Sequence, residues 1–177
     1  DLDFTTPARP DVVYAILEDW AETVWDTGID YGTVSAAYKG QQIEITTFRS
    51  DSYDGDSRNP EVIYGDTLEG DLVRRDFTVN AMAIELRPDG TREFHDPMGG
   101  LQDLADRVLD TPDAPEISFH DDPLRMLRAA RFAAQVEFDV AKRVRTAMTD
   151  MAGEIQRITV ERVQVELNKL ILSLIHI

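Results

Sequence analysis

The chain contains no cysteine among its 177 residues. A disulfide framework and a thiolate metal site are therefore both excluded, and the composition favours a cytoplasmic location. Long apolar runs are also missing, because the one at the C-terminus is far shorter than the roughly 20 residues that a membrane-spanning helix needs. No basic, apolar leader opens the sequence either. We therefore expect neither secretion nor insertion into a membrane.

Positive charge is scarce and unevenly distributed. The chain has 18 basic residues, of which only three are lysine, against 34 acidic ones, for a formal net charge of −16. A surface of this charge repels a nucleic-acid backbone unless the basic residues are concentrated. Two short segments hold a group of arginines: Arg74, Arg75, Arg125, Arg128 and Arg131. The charge pattern therefore predicts a nucleotide pocket but no broad RNA-binding face.

The first part of the chain predicts a mixture of strands and helices. Asp1 to Phe4 alternate acidic and apolar residues, as in a half-buried strand. Pro10 opens a helix that continues to about Ala21. Its apolar side is predicted to contain Val12, Val13, Ile16, Leu17 and Trp20. Residues 31–38 and 41–48 predict two strands joined by a tight turn at Lys39-Gly40, and the Asp-, Ser-, Gly- and Pro-rich stretch 49–65 predicts a mobile loop.

The remainder of the chain is predicted to change from a mixture of strands and helices to helices alone. Residues 66–77 predict a helix, and residues 79–86 and 92–95 predict two strands joined by a turn at Pro88-Asp89-Gly90. A short helix is expected at 101–107, and further helices at 123–135, 140–151 and 160–172. We expect an α+β head domain in residues 1–117, an all-helical segment in 118–171, and a non-native tail in 172–177.

Three acidic residues are candidates for a metal site. Asp1 and Asp3 lie two apart on a predicted strand, so their carboxylates share one face. Glu44 is flanked by apolar residues on a second predicted strand. Paired carboxylates can hold Mg²⁺, which suits an in-line displacement at phosphorus. The alternative is that these acids are ordinary solvated charges on exposed strands.

The segment RRDFTVNA at 74–81 combines arginines with an aspartate and an asparagine. Guanidinium groups bind phosphate oxygens in a bidentate manner, while Asp76 and Asn80 can accept and donate hydrogen bonds to ribose hydroxyls. The pattern therefore predicts a phosphate and ribose site. An amphipathic helix end with a surface ion pair is the alternative.

The helix that begins near Pro123 has a polar face that could read a nucleobase. Asp122, Arg125 and Arg128 follow one another at three-residue intervals, which places them along one side. An aspartate accepts from the exocyclic amine of cytosine or adenine, while an arginine donates to the neighbouring ring nitrogen. Uracil and guanine would leave buried groups unpaired at about 1–3 kcal/mol each. Helix capping by Asp121 or Asp122, with proline in the first turn, is the alternative.

Several motifs follow one another in a fixed order along the chain. They are DLD at 1–3, GTV at 32–34, IEITTFR at 43–49, RRDFTVNA at 74–81, DPMGG at 96–100, DDPLR at 121–125 and ERV at 161–163. Together these motifs closely resemble those of the bacterial-type (class II) tRNA nucleotidyltransferases, the CCA-adding enzymes, from residue 1 to about Leu170.

The resemblance implies a polymerase-beta-like nucleotidyltransferase head with a mixed sheet, followed by a helical neck. It also implies Mg²⁺ as cofactor, with Asp1 and Asp3 as its ligands and Glu44 as the third catalytic carboxylate. The two glycines of the DPMGG motif, Gly99 and Gly100, would form a hinge between head and neck.

The nucleotide-binding residues implied by the resemblance lie in the two arginine-containing segments. Arg75, Asp76 and Asn80 would hold the phosphates and ribose of the incoming nucleotide. Asp122 and Arg125 would select CTP and then ATP. Arg128 would help to bind the triphosphate, and Arg131 belongs to the same nucleotide-binding set. Glu161 and Arg162 match a neck motif that would brace the base-reading helix, with an ordinary intrahelical ion pair as the alternative.

The sequence also departs from the family pattern. The family normally has a Gly-Gly turn and an Arg-Asp pair ahead of the metal-binding acids, and helical body and tail domains that grip the tRNA; none of these is found, so we expect truncation at both ends. The function implied is addition of CCA to tRNA 3′ ends from CTP and ATP. Alternatives are a poly(A) polymerase, a relative that adds only CC or only A, and a non-catalytic RNA-binding relative. The sequence leaves the oligomeric state open.

Overall fold

The computed structural model describes residues 2–52 and 61–174. They fall into two compact units, one extending up to Asp71 and the other starting at Leu72. The boundary that the sequence suggests near residue 117 remains a prediction. None of the helices in the described ranges has both the length and the apolar character needed to cross a membrane.

The first unit is built on a mixed four-stranded sheet. Its strands are β1 (Leu2–Thr6), β2 (Thr23–Trp25), β3 (Thr33–Tyr38) and β4 (Gln41–Thr47). They lie in the order β1-β4-β3-β2, with β1 parallel to β4 and the other pairs antiparallel. Helix α1 (Pro10–Glu18) connects β1 to β2, and a 3₁₀ turn (Ile29–Tyr31) precedes β3. The predicted mixed sheet is confirmed.

Helix α1 packs on one face of this sheet. Val13 and Leu17 are buried against Val34 and Ala36 of β3. The predicted apolar side of the helix was too wide, because Val12, Ile16 and Trp20 are 44–55% exposed. Residues 13 and 17 are one turn apart and point at the sheet, whereas residues 12, 16 and 20 form a second stripe rotated away from it. Because side chains alternate along a strand, the polar neighbours of Val34 and Ala36 lie on the other face of the sheet.

The turn between β3 and β4 is the tight hairpin that the sequence predicts. Lys39 and Gly40 both have positive φ values, 49° and 75°. Two consecutive left-handed residues are characteristic of the two-residue turn that matches the twist of paired strands.

The prediction of a loop over residues 49–65 is wrong at both ends of that stretch. Strands β5 (Arg49–Ser52) and β6 (Glu61–Tyr64) pair antiparallel there, and residues 53–60 lie outside the described residues. Turn-rich composition indicates a loop locally, but pairing between distant residues decides where the strands extend. Helix α2 (Leu68–Val73) is likewise shorter than the helix expected at 66–77.

The second unit begins with a hairpin and continues with helices. After a 3₁₀ turn (Thr78–Asn80), its elements are β7 (Ala83–Leu86), β8 (Arg92–His95), α3 (Gly100–Asp106), β9 (Val108–Leu109), α4 (Pro115–Asp121), α5 (Leu124–Val136), β10 (Asp139–Val140), α6 (Lys142–Asp150), a second 3₁₀ turn (Ala152–Arg157) and α7 (Val160–Leu174). The predicted hairpin and the helices corresponding to α3, α5, α6 and α7 are confirmed.

Several details of this unit differ from the sequence interpretation. Helix α4 was missed, and α7 continues to Leu174 rather than ending at Leu172. The segment expected to be purely helical also contributes β10, which pairs in parallel with β9. One cluster of its core joins Phe77 and Leu109 to Ala129 of α5, so residues on both sides of position 117 share a core.

Gly100 starts α3 where the backbone passes very close to a neighbouring segment. A Cβ atom at this position would lie 2.1 Å from the carbonyl oxygen of Thr78. The sequence therefore needs a residue without a side chain here, whatever other role the glycine has.

We expect Gly100→Ala to lower the free energy of unfolding by about 1–3 kcal/mol, because the methyl group can be placed only by moving backbone. Urea unfolding measures the change. Gly153→Ala is a matched control, since a Cβ there meets no other atom of the described residues within 4 Å. An equal loss of stability in both variants would contradict the close approach at Gly100.

A buried ion pair connects α5 to α7. The side chains of Arg131 and Glu166 are 10% and 4% exposed, and the guanidinium Nε donates a hydrogen bond to the carboxylate. Arg131 Nη1 also donates to Gln135 Oε1 at 2.8 Å. The two charges therefore compensate each other in a place where neither would be stable alone.

Glu166→Leu alone should destabilise the protein by about 3–5 kcal/mol, because it leaves the Arg131 charge buried without its partner. The double variant Arg131→Met/Glu166→Leu should recover most of that loss, since it removes both charges and keeps apolar volume. Thermal and urea unfolding of the single and double variants form the double-mutant cycle. Strictly additive losses would show that the pair is not coupled.

Candidate functional site

The register of the first sheet brings two of the candidate acids together. Asp3 of β1 is the cross-strand partner of Glu44 of β4, and Glu44 is in turn the partner of Ser35 of β3. Partners in adjacent strands lie on the same face, with the strands about 4.8 Å apart. Asp3 is exposed and Glu44 is half-buried, and Glu44 Oε1 accepts a hydrogen bond from the Gln42 amide at 3.0 Å. Asp1, the third candidate, lies outside the described residues.

A row of hydroxyl groups lies one step further along the same face. Thr5, Thr46 and Thr33 are cross-strand partners, and the Oγ1 atoms of Thr33 and Thr46 are 2.9 Å apart. Thr5 Oγ1 donates to the buried carboxylate of Asp71 at 3.5 Å, and the same carboxylate accepts from the Arg49 amide at 3.3 Å. Sequence reasoning missed these residues, although Thr5 and Thr46 stand two positions after Asp3 and Glu44 in their strands.

The donor set of this face fits a hard divalent cation. Carboxylate oxygens are the ligands that Mg²⁺ takes from proteins, and Asp3 and Glu44 present them side by side. The opposite face carries the apolar contacts with α1. The metal-ligand roles of Asp1, Asp3 and Glu44 remain a prediction that this geometry supports.

In the second unit, the RRDF segment forms a compact polar site around Asp76. The Asp76 carboxylate accepts from the Phe77 amide and the Asn80 side chain, both at 3.0 Å, and from Arg128 Nε at 2.9 Å and Nη2 at 2.5 Å. Burial alone would raise the pKa of Asp76, but the charge of Arg128 and these hydrogen bonds outweigh it and lower the pKa below its ordinary value. Asp76 is therefore a fixed carboxylate anion at neutral pH.

Three of the predicted nucleotide-binding residues thus lie in direct contact: Asp76, Asn80 and Arg128. Arg75 is half-buried in the preceding turn, where its amide donates to the Leu72 carbonyl at 3.1 Å. The alternative of a surface ion pair does not describe Asp76, whose side chain is only 10% exposed.

The Asp122 carboxylate has two different partners. One oxygen accepts from the Leu124 amide at 3.2 Å, which is a capping contact at the start of α5. The other accepts from Arg162 Nη2 of α7 at 2.9 Å. The capping alternative is therefore correct for one oxygen only. This contact connects α7 to the start of α5 and supports the bracing role of the ERV motif, which remains a prediction.

Arg125 is held by acceptors outside its own helix. Its Nη1 donates to Ser118 Oγ at 2.8 Å, and its Nη2 donates to the Arg74 carbonyl at 2.5 Å. Ser118 is almost fully buried in α4. Sequence reasoning missed both acceptors, because α4 was not predicted and a backbone carbonyl has no signature in the sequence.

The contacts of Arg131 and of the Gly99-Gly100 turn differ from those that the sequence led us to expect. Arg131 is engaged by Glu166 and Gln135, which supports a structural role in pairing α5 with α7; its place in the nucleotide site remains a prediction. Gly99 has a φ of 74°, and the amides of Gly100 and Leu101 donate to the Asp96 carboxylate at 2.6 and 2.9 Å. These contacts describe a capped turn, and the hinge assigned to Gly99 and Gly100 also remains a prediction.

A groove of about 320 Å³ lies between α5 and α7. Arg128, Arg162 and Lys169 line it together with Glu161 and Glu166. Arg128 is the partner of Asp76, and Arg162 is the partner of Asp122. The groove therefore adjoins the side chains that hold both of these carboxylates.

Two known families match separate segments of the chain. Residues 1–110 match the family described as the poly(A) polymerase head domain. Residues 137–174 match a second family, described as a probable RNA- and SrmB-binding site of polymerase A.

Curated relatives of high similarity are CCA-adding enzymes. That of Levilactobacillus brevis is 44% identical over 172 residues, which are 97% of this chain and 41% of the relative. That of Lactobacillus helveticus is 39% identical over 171 residues, which are 96% of this chain and 41% of the relative. The chain thus spans about two fifths of the length of these relatives.

Solved structures agree with these relatives. The Bacillus stearothermophilus CCA-adding enzyme in complex with CTP superposes with a TM-score of 0.79 at 37% identity, covering 94% of this chain and 38% of that one. The Thermotoga maritima CCA-adding enzyme complexed with tRNA gives a TM-score of 0.72 at 29% identity, covering 96% and 38%. The predicted α+β nucleotidyltransferase fold is confirmed. From the match over residues 1–110 and these relatives, the chain belongs to the poly(A) polymerase head-domain family of nucleotidyltransferases.

Proposed function

We propose that the protein containing this chain adds CCA to the 3′ end of tRNA from CTP and ATP. The observation that carries the proposal is the start of α5, where Asp122 offers a carboxylate acceptor and Arg125 a guanidinium donor, each held in place by a partner from another helix. Such a pair complements the amine and ring nitrogen shared by cytosine and adenine, and it mismatches uracil and guanine. The CTP and tRNA complexes of the similar enzymes support this choice.

Each group of residues has a distinct role in the proposed reaction. The tRNA 3′-hydroxyl attacks the α-phosphate of the nucleotide, and pyrophosphate leaves. Arg75 and Arg128 bind the triphosphate by charge, while Asp76 and Asn80 bind the ribose hydroxyls. Since Arg128 holds Asp76 as an anion, the ribose site presents a strong acceptor.

The acids of the first sheet hold the cofactor in this proposal. Proteins of this family generally use a divalent metal ion, and we propose Mg²⁺, with Asp1 and Asp3 as ligands and Glu44 completing the set. When bound, the ion neutralises phosphate charge and lowers the pKa of the attacking hydroxyl. The carboxylates of Asp3 and Glu44 keep their places through the β1–β4 register. A cytoplasmic location, expected from the composition, accompanies the proposed tRNA processing.

A poly(A) polymerase is the second candidate, because the matching family is described by that activity. It would use ATP alone and accept RNA of any kind. A nucleotide-incorporation assay on tRNA and on generic RNA distinguishes the main proposal from this candidate. It also distinguishes it from relatives that add only CC or only A, and from a relative that binds RNA without catalysis.

The complete protein should incorporate labelled CTP, then ATP, into tRNA that lacks its CCA end, and should discriminate against UTP and GTP. Gel analysis of the extended tRNA measures the number and identity of added nucleotides, with a generic RNA of equal length as control. ATP-only tailing of both RNAs would establish the poly(A) alternative. Addition of C alone or A alone would identify a partial relative, and no incorporation would favour the non-catalytic one.

Asp3→Asn and Glu44→Gln should each lower kcat by about 100-fold or more, because the loss of several kcal/mol of charge stabilisation at the metal raises the activation free energy of the reaction. Both substitutions preserve size and strand propensity, and Mg²⁺ binding measured by calorimetry should weaken in parallel. Asp19→Asn, an exposed acid at the end of α1, is the control that should leave both quantities unchanged. Wild-type Mg²⁺ binding in the Asp3 variant would remove this residue from the metal site.

A further inference from the structure

Two residues, Ser118 and Arg74, supply the acceptors that hold the guanidinium of Arg125. Nη1 donates to the Ser118 hydroxyl at 2.8 Å and approaches the Ser118 carbonyl at 3.5 Å, while Nη2 donates to the Arg74 carbonyl at 2.5 Å. A guanidinium is planar, so contacts on two different nitrogens determine both its position and the orientation of its plane. The direction of its remaining N–H groups is then set by the protein.

Ser118 itself has little freedom to move. It is 4% exposed, and its neighbour Phe119 is fully buried in a core cluster with Met126 of α5 and Val144 of α6. The Ser118 hydroxyl therefore sits on a helix that is fixed by packing on two sides.

The same serine also holds the backbone of Asp122. The Asp122 amide donates to the Ser118 carbonyl at 3.1 Å, closing the last turn of α4. One residue thus contacts both members of the acceptor and donor pair: Asp122 through its carbonyl and Arg125 through its hydroxyl. The spacing between acceptor and donor depends on this shared anchor.

We propose that Ser118 is a positioning residue for base selection, which orients Arg125 relative to Asp122 so that cytosine and adenine are accepted and uracil and guanine rejected. This inference rests on the proposed function and adds a determinant of specificity to the same site. Without the hydroxyl, the guanidinium keeps the Arg74 carbonyl and the long 3.5 Å contact with the Ser118 carbonyl, and it rotates about the Arg74 contact. Discrimination between bases then falls more than the ability to bind a triphosphate, which involves other residues.

The test compares Ser118→Ala and Ser118→Thr in the complete protein. Alanine has the highest helix propensity, so α4 is retained, and threonine restores the hydroxyl. Thr146→Ala is a matched control, since it removes a hydroxyl that donates to the Lys142 carbonyl of its own helix, α6, at 3.1 Å. Melting temperatures verify folding. Steady-state kcat and KM for CTP and UTP on tRNA, together with calorimetric affinities for both nucleotides, form the readout.

We expect Ser118→Ala to lower the CTP-over-UTP ratio of kcat/KM about tenfold, which is the effect of losing about one hydrogen bond to a charged group. Ser118→Thr and Thr146→Ala should stay within about twofold of the wild type. An equal fall for CTP and UTP in Ser118→Ala, with an unchanged ratio, would reduce Ser118 to a packing residue and overturn the inference.

The affinities separate this inference from the proposed function. If the wild type prefers CTP to UTP in binding but adds no nucleotide to tRNA, the proposed activity fails, and loss of that preference in Ser118→Ala still supports the positioning role. If the wild type shows no preference between CTP and UTP, both proposals are overturned. A preference that survives in Ser118→Ala overturns the positioning role alone.

Discussion

The second unit depends on three arginines of α5, each of which binds a partner in a different part of the chain. Arg125 binds Ser118 and the Arg74 carbonyl, Arg128 binds Asp76, and Arg131 binds Glu166. Because the three lie three residues apart, they follow one side of the helix and determine its rotation about its own axis. Had α5 turned by one residue, the RRDF carboxylate would lose its charge partner and the buried Glu166 its counterion.

In the first unit, one strand register has a comparable role. The parallel pairing of β1 with β4 places Asp3 beside Glu44 and Thr5 beside Thr46 on the face opposite α1. A slip of β1 by one residue against β4 would turn Asp3 towards the apolar helix and away from Glu44, so burial of the α1 face specifies the polar face at the same time. Core packing and site geometry are therefore consequences of the same alternation of apolar and polar residues along these strands.

Predictions from sequence were reliable where neighbouring residues carry the signal, and they failed where distant residues decide. The Lys39-Gly40 turn was predicted from its glycine and is found. The apolar side of α1 was too wide, because periodicity indicates which residues are apolar but not which of two stripes meets the sheet. Strands β5 and β6 were hidden by a turn-rich composition, and helix α4 was missed entirely. Capping and ligand-binding interpretations of Asp122 could not be separated, since its two oxygens have different partners.

By itself the sequence determined the family, many of the helices and strands and a set of candidate site residues, because motifs and periodicity are written in short stretches of chain. Tertiary structure alone decided which side chains hold those residues. Ser118 and the Arg74 carbonyl orient Arg125, Arg162 braces Asp122, and Glu166 neutralises Arg131. These partners are 7 to 51 residues away along the chain. The physical reason is that a hydrogen bond or ion pair depends on distance in space, which only packing of the whole unit sets.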